Sequence, residues 1–407
     1  MPPPAAVMKA PAMPPTTRSE QPGSSSLWHL PALRRQIVLA LLSFGGFFVT
    51  LSSIPLWAVD GGVPEGLAGL ATTVMLAATV ATQLFVPAMV RRFGQPVVLA
   101  AGLIALGAPT PLLLLDRDLW WLLVVSAIRG LGFAVVTVLM PIVATQIAPP
   151  GRHGEAIGIY GLAIAIPNLI AIPLSVALTT AGHFAVVAWI GALPLLALPL
   201  IRSFPAPAPV TTDPRDPGAG RARVPVGALT GITLVLLVIT MIGGGLLAIL
   251  PVQLPSGSLA TVALLLFGLT SAVARWRSGV LADRTGSRPL LVGGLVFAVV
   301  ALLLMSGGLL LDPGPTRTVM VLVGAAILGV GYGAVQNLSL LVSFVLAGPD
   351  RRATASALWN ATFDAGTAVG ALLIGAVAAG AGLGPVLAGC AALVAATLLP
   401  AWRSTPR

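Results

Sequence analysis

The chain has 407 residues, of which 57% are hydrophobic and 8% charged, with a mean hydropathy of +1.00. A soluble globular chain carries roughly a quarter charged residues, so a water-facing surface of ordinary polarity cannot be built from this one. The formal net charge of +10 does not point to nucleic acid, because the basic residues are dispersed between apolar runs instead of forming one patch.

Residues 1–26 are rich in Pro, Ser and Thr and lack an apolar core or a cleavage site, so they are not a secretory signal. We read 1–33 as a disordered cytoplasmic tail. A bilayer span needs about 20 mostly apolar residues. The chain offers spans at 35–58, 66–90, 96–115, 119–147, 154–179, 184–202, 226–250, 257–280, 289–311, 318–347, 353–380 and 383–402. The Pro-rich stretch 204–225, which carries both charge signs, reads as a cytoplasmic linker between a six-helix bundle at 34–203 and a second at 226–402. Residues 403–407 are a cytoplasmic end. The predicted fold is an all-α polytopic membrane protein with two six-helix bundles.

Charge placement sets the orientation. With the N-terminus inside, 19 of the 22 Lys and Arg residues fall in cytoplasmic segments, Arg275 and Arg277 among them. Arg117 and Arg317 fall outside. Of the 34 charged side chains, only Arg129 and Asp364 lie well inside spans. A charge at the bilayer centre costs at least about 2.5–3.5 kcal/mol, so such residues usually face a protein interior or a watery cavity. On span 11, Asn360, Asp364 and Thr367 form one polar stripe at i, i+4 and i+7. Asp364 is the candidate proton site, against a plain interhelical hydrogen-bonding role. Arg129 is either its electrostatic partner, a substrate anchor or a packing arginine bonded to carbonyls.

The two halves align. Gly130 and Gly132 match Gly329 and Gly331 at an offset of 199, and Arg92 and Gly94 match Arg284 and Gly286 at 192. Between spans 8 and 9 stand Gly279, Leu281, Ala282, Asp283, Arg284, Gly286 and Arg288. This run resembles the G-x-L-a-D-r-x-G-r loop of the major facilitator superfamily, and the resemblance covers roughly residues 34–402. In the first half the acid is replaced by Arg91. Arg129, Gly130 and Gly132 resemble the superfamily's R-x-x-x-G-x-G motif, whose arginine is associated with proton coupling. Gly158, Gly161 and Pro167 resemble a degraded form of the span-5 motif of proton-driven exporters. The resemblance implies a gating loop in which Asp283 meets a neighbouring helix N-terminus and an arginine. It also implies a cavity lined by spans 1, 4, 7 and 10, giving Phe47, Thr50, Thr137, Met140, Met241, Tyr332, Gln336 and Asn337 as wall candidates, with Asn360 added from span 11.

No catalytic constellation emerges: His29, His153 and His183 lie in the tail or loops, and no Walker loop, metal pair or nucleophile elbow is present. No cofactor or metal is expected. The single Cys390 permits no intrachain disulfide. The expected protein is a monomeric, multi-pass inner (plasma) membrane transporter with both termini inside. Its partners would be protons, lipid and a small-molecule substrate. Proton-coupled efflux of an amphipathic organic molecule is the first reading, and an importer or facilitator of a small organic anion anchored on Arg129 is the second.

Overall fold

The structure, a computed structural model, describes residues 27–204, 226–254 and 257–405. The expected tail up to residue 26 and the linker from 205 lie outside the described residues. Within the last part of the expected tail, Leu27–His29 forms a short 3-10 turn with Leu27 buried, and helix starts at Pro31. The spanning elements are α1 Pro31–Asp60, α2 Leu70–Gln83 with Val86–Phe93, α3 Gln95–Leu114, α4 Leu119–Ile147, α5 His153–Thr180 and α6 Phe184–Arg202. They continue as α7 Val226–Gln253, α8 Gly257–Thr285, α9 Ser287–Leu309, α10 Pro315–Ala347, α11 Arg352–Ala381 and α12 Leu383–Ser404. Eleven helices are long and apolar enough to cross a membrane, and the bent pair α2 makes a twelfth.

Proline explains where these helices bend and which carbonyls they release. A helical proline lacks its N–H and displaces the carbonyl four residues earlier. In α1, Pro55 releases the Leu51 carbonyl; the helix breaks at Ser52, and Thr72 donates to that oxygen at 3.3 Å. In α2, Pro87 coincides with a 55° bend just after Gln83. In α4, Pro141 sits inside a continuous helix and leaves the Thr137 carbonyl without its intrahelical donor. Such groups are tolerated in a bilayer only when a neighbour satisfies them.

The halves repeat one packing plan. Gly130 rests on the Met75 backbone of α2, and Gly132 on Gly102 and Leu106 of α3; Gly329 rests on Phe267 of α8, and Gly331 on Gly294 and Ala298 of α9. A methyl at any of the four would overlap neighbouring backbone, so small residues here let helices approach closely. The central helices α4 and α10 are thus held by equivalent neighbours. The turns after α2 and α8 repeat too: Gly94 has φ 82 and ψ 150, Gly286 φ 84 and ψ 159, a conformation other residues adopt only under strain. Both lie at the end of the bundle that carries Arg91, Arg92, Arg152, Arg284, Arg288 and Arg351, called below the basic end.

Candidate functional site

The halves meet in three layers, starting at the basic end. Asp283, in the last turns of α8, accepts from the Gly154 and Glu155 backbone N–H groups of α5 at 2.9 and 2.8 Å. These donors belong to the first turn of a 28-residue helix, where free N–H groups and the helix dipole favour an anion. Arg152 pairs with Glu155 at 2.6 Å and is also an electrostatic neighbour of Asp283. One turn inward Gly279 crosses Gly154 backbone to backbone, and Asn337 Nδ2 reaches the Gly154 carbonyl at 3.5 Å. Span 8 therefore runs five residues past its expected end at 280, so Gly279 and Asp283 are helical and the turn itself is Gly286.

The second layer is a ladder on α11. Ser356 donates to the Val138 carbonyl at 2.7 Å, Asn360 donates to the proline-released Thr137 carbonyl at 3.2 Å, and Asp364 Oδ2 accepts from Gln83 Nε2 at 2.9 Å. Spacing of four residues puts all three on one face. Gln83 Nε2 also lies 3.4 Å from Thr137 Oγ1. The stripe read from sequence is corrected at one member: Thr367 bonds its own helix at Phe363 and packs on Gly244 of α7, while Ser356 takes its place. Among the described residues Asp364 Oδ1 accepts no hydrogen bond.

The third layer surrounds Arg275 on α8, about ten residues from the basic end of that helix or roughly 15 Å. Its Nη1 donates to Gln336 Oε1 at 3.1 Å, its stem lies on Gly161 of α5, and Tyr160 and Tyr332 are its electrostatic neighbours. Arg275 was expected among the cytoplasmic topology charges. It lies instead between the halves, because α8 extends beyond 280 and the side chain turns toward α5.

Arg129 lies apart from Asp364. It is fully buried within the first half, where Nε donates to Leu106 O at 3.3 Å and Nη2 to Gly46 O at 3.2 Å and Thr50 Oγ1 at 2.5 Å. Of the three roles left open for Arg129, this is the packing arginine bonded to carbonyls, and Asp364 has a polar partner of its own. Of the wall candidates, Tyr332 and Gln336 border Arg275, Thr137 and Asn360 belong to the ladder, and Asn337 lies in the seal. Met140 is corrected: it is fully buried, and its carbonyl accepts from Gln36 at 2.9 Å. Phe47 stacks on Phe133 at 3.5 Å, and Thr50 is taken up by Arg129. Met241 is half-buried, its backbone against Gly370 of α11. Arg284 is exposed, and Arg288 donates to Thr405 O at the chain's other end.

The sequence model of the Major Facilitator Superfamily matches residues 37–371. The chain belongs to this superfamily. Among solved superfamily structures, the human organic anion transporter MFSD10 (TETRAN) resembles it at TM-score 0.72 and 17% identity, covering 91% of this chain and 98% of that one. FucP in the outward conformation gives TM-score 0.74 at 14% identity, covering 94% and 100%. The proton:xylose symporter XylE bound to 6-bromo-6-deoxy-D-glucose gives 0.72 at 16%, covering 92% and 95%. A comparison with curated proteins returns no match. As a superfamily member the chain is a multi-pass secondary transporter with a small-molecule substrate.

Three interface residues escaped the sequence reading: Gln83, Ser356 and Arg275. Gln83 had a usable signal, an amide four residues before a proline in an apolar span, where its side chain needs a partner. Arg275 carried one as well. It shares a helical face with Gly279, four residues on, whereas Arg277 is rotated roughly 200° away and is exposed.

Proposed function

We propose that this chain is a proton-coupled exporter of small amphipathic organic molecules, working by alternating access between its two halves in the plasma (inner) membrane with both termini cytoplasmic. The lopsided distribution of arginine supports the orientation. The basic end is then the cytoplasmic face, and every cross-half hydrogen bond described above lies in that half of the bundle. The arrangement is that of a transporter sealed toward the cytoplasm.

The observation that carries the coupling is the Gln83–Asp364 bond between the halves. An ionised carboxylate accepts a charge-assisted hydrogen bond, roughly twice as strong as a neutral one. A proton reaching the free Oδ1 from the outer side removes that charge and weakens the uppermost rung of the ladder. The halves can then part toward the cytoplasm, where the proton leaves and substrate enters. The organic-anion reading anchored on Arg129 loses its anchor, since that guanidinium is enclosed by the first half.

The test uses proteoliposomes and labelled amphipathic compounds. Asp364→Asn abolishes accumulation driven by an imposed pH gradient and leaves counterflow exchange intact. Gradient-driven accumulation that persists in the variant removes Asp364 as the proton site.

A further inference from the structure

Arg275 is a cation without a counterion. Among the described residues no carboxylate pairs with it. The acids of the spanning helices nearest the interface are engaged elsewhere: Glu155 with Arg152, Asp283 with the start of α5, and Asp364 with Gln83. An arginine stays charged under all ordinary conditions, and lipid cannot solvate it. Arg129 has two carbonyls and a hydroxyl as acceptors, with Nη1 alone buried and unpartnered. Arg275 has a single acceptor. Its Nη1 is bonded to Gln336, its Nε is buried against Gly161 with no acceptor, and its Nη2 makes no hydrogen bond among the described residues.

The surroundings show what fits. Tyr160 belongs to the first half and Tyr332 to the second, so the guanidinium has one phenol from each as an electrostatic neighbour. Both phenols are donors, and a guanidinium presents a planar fork that suits a carboxylate. Behind the hydroxyls the walls are aromatic. Tyr160 contacts Phe44 edge-on at 6.1 Å, and Tyr332 lies 5.0 Å from Phe267. One edge of the Tyr332 ring and its hydroxyl also abut Gly243 of α7, where a side chain would overlap them.

We propose that Arg275, with Tyr160 and Tyr332, forms the recognition point for the charged end of the substrate, and that the substrate is an organic carboxylate with an apolar or aromatic body. This deepens the transport reading above and rests on it in one respect, that the space between the halves is the substrate route. A bound carboxylate supplies the missing counter-charge and is held by both halves at once. Gln336 is a positioning residue that holds Nη1 and leaves Nη2 free for the ligand.

The probes are phenylbutyrate, its neutral amide phenylbutyramide and the cation phenylbutylamine, tested on purified full-length protein with no gradient. Binding is read by thermal protection and intrinsic tryptophan fluorescence. Phenylbutyrate protects the wild-type chain, the amide does so at least about tenfold more weakly, and the amine does not. Arg275→Gln loses the preference for carboxylate over amide, Arg275→Lys keeps part of it, and Arg277→Gln leaves it unchanged. Equal binding of acid and amide, no binding of the acid to the wild type, or full binding in Arg275→Gln overturns the proposal. The wild-type comparison requires no variant to fold. Arg275-dependent carboxylate binding without any gradient-driven flux upholds this inference and counts against proton coupling; proton-driven flux of amines alone does the reverse.

Discussion

The seal at the basic end gives the sharpest quantitative expectation. Asp283 accepts two backbone hydrogen bonds at 2.9 and 2.8 Å, and a bond to a charged group contributes about 1.5–3 kcal/mol. Asp283→Asn keeps the shape and one oxygen, but turns an amide N–H₂ toward a backbone donor and removes the charge facing the start of α5. The closed arrangement should lose about 2–4 kcal/mol relative to one open at the basic end. At about 1.4 kcal/mol per factor of ten, the closed-to-open ratio falls about thirtyfold to about a thousandfold. The assay is a pulsed electron–electron distance measurement in lipid nanodiscs, with spin labels at Arg92→Cys and Arg284→Cys in a Cys390→Ser background. Both label sites are exposed and lie next to the equivalent turns of the two halves. The variant should gain a population at longer distance. Identical distributions in parent and variant would refute the claim that these two bonds hold the closed state.

The ladder and the packing sites give further expectations. Replacing Asn360 by Leu leaves the proline-released Thr137 carbonyl without a donor, at about 1–3 kcal/mol, and replacing Ser356 by Ala removes the cross-half donor to Val138, at about 0.5–1.5 kcal/mol. The same spin pair should report opening, and an unchanged distance would show that those carbonyls find other partners. Gly279→Val places a branched side chain into the Gly154 backbone, an overpacking that costs about 1–3 kcal/mol or more. It should hold the basic end open even with Asp283 intact, and a closed distribution would refute the backbone crossing. Arg129→Leu removes the donor to Gly46, Leu106 and Thr50. Melting in detergent should fall by the equivalent of about 3–5 kcal/mol, while the carboxylate preference at Arg275 persists. A stable Arg129→Leu protein that loses that preference would return the anchor role to Arg129.

The bilayer is why so much of the fold was legible. Lipid excludes charge, so apolar runs mark the spans and arginines mark their ends, and the expected spans differ from the helices mainly at their edges. The glycine pairs at an offset of 199 were readable because close helix packing requires them in both halves. The site was less legible, for the same reason inverted. Counting arginines by side treats each one near a span end as a topological marker, and this hid Arg275, which differs from Arg277 only in the direction it faces. Arg129 and Asp364 stood out equally in composition. Which would be surrounded by carbonyls and which would meet the other half depends on helix rotation and on proline-released groups such as Thr137 O. Single-sequence spacing does not encode that. Gln83 was missed because its partner lies 281 residues away.

The replacement of the first-half acid by Arg91 has a mechanical consequence. The repeat sets Asp283 against the start of α5, and the same symmetry would direct Arg91 toward the start of α11, where the helix end is itself positive and repels a guanidinium. The doorway at the basic end thus carries its carboxylate bolt along one jamb only. Along the other, the fastenings are Arg352 Nη1 to Thr145 Oγ1 at 3.5 Å, Ser356 to the Val138 carbonyl at 2.7 Å and Asn360 to the Thr137 carbonyl at 3.2 Å, with the rung at Asp364 deepest. A change of ionisation at Asp364 acts on the jamb that has no carboxylate at a helix start, so the two halves need not swing evenly.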